Sequence, residues 1–189
     1  VSVCAPASPS SDSASPCSVR TLQGDALSLD GDAGAQTLTV SGGSLSGAGR
    51  WQSTGDLSLG GLTTAQWDGT LLAGGTLSLD TASLSNRGTL AGGQVQLTTP
   101  GLDNRGTGSG RQVRLQAGQL ANSGTLSADE VLSIQAQTGL DNSGSLLSGG
   151  GLTIAAGQTV NRGPTDDAGA GQPGHGERAS GQTAGGATC

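Results

Sequence analysis

An apolar pair of the form L/V/I-x-L/V/I recurs at Leu38/Val40, Leu57/Leu59, Leu77/Leu79, Val95/Leu97, Val113/Leu115, Leu132/Ile134 and Leu152/Ile154. The first members are 19, 20, 18, 18, 19 and 20 residues apart. Leu27/Leu29 reads as an eighth, irregular copy. Between the pairs lies a second element, L-x-N-x-G-x-L. It is LSNRGTL from Leu84, LDNRGTG from Leu102, LANSGTL from Leu120 and LDNSGSL from Leu140. Degenerate copies precede it from Leu45 and Ala65, and a truncated VNRG follows from Val160. Both elements alternate apolar and polar positions with period two, the mark of strands with one buried face. Gly92-Gly93, Pro100-Gly101 and Gly149-Gly150-Gly151 punctuate them as turns, and no stretch combines helical spacing with caps.

A repeat of this length, built of short strands and glycine turns, is one coil of a solenoid. The predicted fold is all-β, a right-handed parallel β-helix of coils 18–20 residues long, its hand following the crossover rule. Equivalent residues of successive coils then stack about 4.8 Å apart. The aliphatic pairs become a thin continuous core, and Asn86, Asn104, Asn122 and Asn142 become a column whose amides can bond along the stack. One coil alone buries too little to offset the ordering of its backbone, so stability must come from stacking. The terminal coils show no polar cap, so the chain reads as a section of a longer rod.

The pattern divides the chain into a Pro/Ser-rich arm over 1–19, the repeats over 20–163 and a Gly/Ala-rich linker or tail over 164–189. No Val, Ile, Leu, Met or aromatic residue follows Val160, so the tail has nothing from which to build a core. Cys4 and Cys17 bracket the arm's CAPASPSSDSASPC loop. A disulfide there would contribute roughly 3 kcal/mol; two unpaired thiols are the alternative. Cys189 is left over. The chain opens at Val1 without a leader pattern, which reads as processing or as a piece of something longer.

Composition narrows the function classes. Glycine supplies 36 of 189 residues, two Trp are the only aromatics, and Phe, Tyr, Met and Lys are absent. A conventional globular core and an ordinary enzyme are both disfavoured by that inventory. The net charge is −6 and all 8 basic residues are scattered arginines, which argues against nucleic acid and against an anionic membrane surface. No apolar run reaches the ~18 residues of a membrane-spanning helix.

The repeats LSNRGTLAGGQVQL and LDNSGSLLSGGGLTI resemble those of the filamentous haemagglutinin family of Gram-negative bacteria, over roughly residues 38–163. Its members are very large exoproteins exported by two-partner secretion, some of them contact-dependent growth-inhibition effectors. The resemblance implies a right-handed parallel β-helix at the cell surface or secreted, acting in adhesion or effector display. It also implies an outer-membrane secretion partner and a receptor or glycan on a host cell or neighbouring bacterium. The family's N-terminal secretion domain, with its Asn-Pro-Asn motif, is absent from this chain, and no nuclease-like toxin is recognisable. The segment is therefore expected to be shaft.

Candidate chemistry is sparse. Polysaccharide-cleaving β-helices converge carboxylates on one face. Here Asp103 and Asp141 share a column position two coils apart with Ala121 between them, and Asp56, Asp68, Asp80 and Asp129 fall in different turns. No catalytic residue, metal site or cofactor is therefore expected. His175, near Asp166, Asp167 and Glu177, lacks a second His or a Cys pair at ligand spacing. GTGSG from Gly106 lacks the lysine and helix of a phosphate loop, and Gly108 is a thin spot in the Leu column. Trp51 takes the slot of Leu71 and Leu90 and is expected inside. Trp67 falls in the Asn column, where packing at an imperfect coil competes with a sugar-stacking role. Arg87, Arg105 and Arg162 follow the Asn outward. With Trp67, the first two are the candidate glycan or receptor contacts of a lectin-like module.

Overall fold

The computed structural model describes residues 17–168. Among them there is no helix, and 14 strands form one sheet in which every pairing is parallel. Each coil pairs with the next, and the stack makes a β-solenoid of about 8 turns, with coils about 19 residues apart. Every coil contains three strand segments, seen separately in Leu57–Leu62, Thr64–Trp67 and the start of Thr70–Thr81. In the regular coils they merge into long strands such as Thr89–Asn104 and Thr107–Asn122.

Alternation decides what each segment buries. The first segment turns the aliphatic pair inward, so that Val40, Leu59, Leu79, Leu97, Leu115 and Ile134 stack in register and are at most 3% exposed. The second buries Leu45, Ala65, Leu84, Leu102, Leu120 and Leu140, each followed two residues on by the Asn column. The third buries Trp51, Leu71, Leu90, Leu126 and Leu146. Gly108 belongs to that last column. A Cβ there would lie 2.8 Å from the Leu126 Cδ2, so the neighbouring leucine already leans into the thin spot. The core is thus a narrow shaft of stacked side chains, mostly aliphatic on aliphatic, which is what a low-aromatic sequence can build.

Coil length varies at two corners only. Register shifts fall after Ala73, Ala128 and Ala136 and between Leu59 and Leu62. These lie between the third segment and the next first segment, or between first and second. Gly61, with φ 69°, occupies one of them, where only glycine adopts a left-handed backbone without strain. The corner that follows the Asn position has the same length in every coil, four residues from Leu29 to Ala33, Asn86 to Leu90 and Asn142 to Leu146.

Three sequence expectations shift. The eighth aliphatic-pair slot belongs to Arg20 and Leu22, which pair with Leu38 and Val40; Leu27 instead pairs with Leu45 in the second segment. Strand pairing also begins at Cys17. Finally, a strand Thr165–Asp167 pairs with Leu146–Ser148 inside the stretch read as tail, because main-chain bonding needs no large side chain. Residues 1–16 and 169–189, and with them Cys4 of the expected disulfide, His175 and Cys189, lie outside the described residues.

Candidate functional site

The L-x-N-x-G corner is the most regular feature of the molecule. Asn86 donates from Nδ2 to Oδ1 of Asn104 at 2.8 Å. Asn104 does the same to Asn122 at 2.7 Å, Asn122 to Asn142 at 2.7 Å and Asn142 to Asn161 at 2.7 Å. The first four side chains are at most 2% exposed. Buried amides must be satisfied, and a column of identical residues satisfies each one with the next. Asn161 is a fifth member that sequence reading left out of the column, although the truncated VNRG element carried the signal.

Main-chain bonds reinforce this corner. The carbonyl of Asn86 accepts from the backbone N–H of Arg105 at 2.7 Å and of Gly106 at 3.0 Å, and the same double acceptance recurs at Asn104, Asn122 and Asn142. The glycine of the motif has a steric reason as well. A Cβ on Gly69, Gly88, Gly106, Gly124 or Gly144 would collide with the carbonyl oxygen of the equivalent glycine in the preceding coil. The corner backbones therefore stack in direct contact, and only glycine permits it.

Below the Asn ladder the column changes character. It runs down through Trp67 and Gly47. The Trp67 indole occupies the room that Gly47 leaves, since a Cβ on Gly47 would lie 2.8 Å from Cζ3 of the ring. Trp67 is 1% exposed, and a side chain so enclosed cannot stack on a sugar at the surface, so its expected role as a glycan contact is corrected to core packing. Its Nε1 is buried without a hydrogen-bond partner. Trp51 is also inside, its Nε1 donating to the Gly31 carbonyl at 2.8 Å.

The arginines that follow the Asn column are exposed but unequal. Arg105 Nε bonds Asp103 Oδ2 at 3.0 Å within its own coil, and Arg162 Nη1 bonds Asp141 Oδ1 at 3.0 Å across coils. Arg87, one coil from Arg105, has no carboxylate partner among the described residues. Asp103 and Asp141 are separated by Ala121 in their column. Asp32 and Asp56 are used structurally, accepting from the backbone N–H of Arg50 at 3.0 Å and of Thr76 at 2.7 Å in the next coil. Among the described residues, no group of three or more His, Cys, Asp or Glu is placed to hold a metal ion. The concavities among the described residues include surface grooves of about 280 Å³ beside Thr98, Pro100, Gln116 and Gln135, about 370 Å³ beside Ala91, Ser109 and Asp129, and about 430 Å³ beside Asp32, Arg50 and Gln52.

No curated protein and no solved structure matches the chain. A family model described as the haemagglutinin repeat matches twice, over residues 33–108 and 108–187. The two matches meet at Gly108 and cover most of the stacked coils, L-x-N-x-G corners included. With more than half of its length matched, the chain belongs to the haemagglutinin repeat family.

Proposed function

We propose that this chain is a shaft segment of a large secreted adhesin, holding binding or effector domains at a distance from the bacterial surface. The observation that carries the reading is the unbroken ladder. Each coil pairs in parallel with the next from Cys17 to Asp167, and side chains and main chain at the Asn-Gly corner are spent on the neighbouring coil. Such a rod grows by adding coils and transmits position along its axis. Family membership supports it, since the haemagglutinin repeat is a structural adhesin repeat. Export through an outer-membrane partner and a surface location in a Gram-negative bacterium belong to the same proposal.

The test is mechanical. The full chain is placed between a surface anchor and a displayed reporter, and two further coils are added by duplicating residues 89–124. Each coil should raise the reporter by about 4.8 Å, measured by force microscopy. A height independent of coil number would overturn the shaft reading. The corner arginines support a second use. Arg87 and Arg105 make a short cationic step for an anionic glycan, although Asp103 already neutralises Arg105. If they form a site, Arg87→Ala/Arg105→Ala should abolish retention on heparin; unchanged retention refutes it.

A further inference from the structure

The outward side of the first segment differs from the rest of the rod. In the three coils that begin at Gln94, Gln112 and Val131, its nine aligned outward positions hold five glutamines and one charge, Arg114. The glutamines are Gln94, Gln96, Gln112, Gln116 and Gln135, all exposed. Gln137 extends the set into the corner. Gln112 donates to Glu130 at 3.0 Å, whereas the other five amides have no protein partner among the described residues. Gln94 and Gln112 are register neighbours, as are Gln116 and Gln135, yet neither pair bonds to itself as the buried asparagines do. These amides are not needed for stacking.

Such a surface suits one ligand chemistry. Each free primary amide offers two donors and a carbonyl acceptor, the complement of a sugar hydroxyl. Rows repeat at about 4.8 Å between coils and about 6.6 Å along the strand, so several hydroxyls of one chain meet amides at once. The groove of about 280 Å³ lies at the edge of this array, with Gln116, Gln135 and Gln137 along it and Pro100 and Ala117 giving it an apolar side for the C–H face of a ring. The patch carries Arg114 and is flanked by Arg111 and Glu130, so its local charge is small and a polyanion gains little there in a chain of net charge −6.

We propose that this glutamine face binds neutral, extended polysaccharide, the contacts individually weak and summed along the rod. The proposal goes beyond the shaft reading and does not depend on it. The test is affinity electrophoresis of the full chain in native gels cast with galactomannan, mixed-linkage β-glucan or alginate. At least one neutral polysaccharide should retard the chain to the same degree at low and high salt, and alginate should not. Gln116→Ala/Gln135→Ala should weaken retardation at least tenfold with an unchanged melting curve, while Gln66→Ala, exposed on another segment, should bind as the parent does. No retardation by either neutral polysaccharide overturns the proposal. So does retardation by alginate alone, an unaffected double variant, or equal loss in Gln66→Ala.

Discussion

Replacing one asparagine in the middle of the ladder should cost more than replacing one at its foot. In Asn122→Leu the amide that joins Asn104 to Asn142 is lost, with both of its 2.7 Å bonds. Asn104 Nδ2 then keeps only its 3.4 Å bond to the Gly106 carbonyl and Asn142 Oδ1 is left without a donor, in side chains at most 2% exposed. Each orphaned buried group costs about 1–3 kcal/mol, and the added apolar burial of leucine returns part of it, so a net loss of about 2–4 kcal/mol is expected. Asn86→Leu strands only Asn104 Oδ1. The Gly88 N–H loses its 3.2 Å bond to Asn86 but keeps the Trp67 carbonyl. Beneath it lies an apolar neighbour, Trp67, so about 1–2 kcal/mol is expected.

The sharper signature is non-additivity. Asn104→Leu/Asn122→Leu leaves the same number of groups without their ladder partner as either single change, namely Asn86 Nδ2, which keeps a 3.4 Å bond to the Thr107 carbonyl, and Asn142 Oδ1. The double variant should therefore cost about as much as one single variant, not twice as much. Urea denaturation followed by far-UV circular dichroism measures the parent, the three single variants and the double variant. The emission of buried Trp51 and Trp67 adds a local probe of the early coils. Equal losses for Asn86→Leu and Asn122→Leu, or an additive double variant, would falsify the ladder energetics.

Gly106→Ala should destabilise by about 2 kcal/mol or more, since its Cβ meets a backbone oxygen that cannot move aside; Gly101→Ala, with open space, should be neutral or slightly stabilising, both read from melting curves. Deleting residues 107–124 removes one whole coil and should leave a folded rod with a slightly lower melting temperature, because Thr125 then continues from Gly106 in the register Thr107 had. A single glycine inserted between Arg105 and Gly106 should disrupt folding far more than one inserted after Gly93, where coil length already varies; circular dichroism of the two insertions decides. Asp103→Ala should shift stability by less than about 1 kcal/mol, as both partners of its ion pair are exposed.

The repeat period, the aliphatic columns and the Asn column were legible because each recurs at a fixed offset within the motif. What failed was local. Leu27/Leu29 has the i, i+2 spacing of a first segment, but a second segment has it too, and only register against Leu45 separates them. Trp67 stood in a polar column, which invited a surface role. What encloses it is the missing side chain at Gly47, a neighbour one coil away that no local pattern announces. The motif glycine read only as one position of the alternating strand pattern, whereas its reason is contact with the glycine below. The glutamine face was invisible for a different reason. Its members lie in different columns and different repeats, and only the stacking register brings Gln94 over Gln112 and Gln116 over Gln135.

The division of labour within a coil limits where recognition can sit. At the L-x-N-x-G corner the Asn side chain, the Asn carbonyl and the glycine Cα are all committed to neighbouring coils. A ligand that engaged any of them would have to break the stack, so the signature that identifies the family is the part least able to bind. Positions free to change are the outward ones, whose substitution alters neither the core nor the register. Along the first segment these read Gln94, Gln96 and Thr98 in one coil and Gln112, Arg114 and Gln116 in the next, over columns that barely vary inside. Stability and recognition are thereby carried by alternate residues of the same strand, and a rod can change what it touches without changing how it stands.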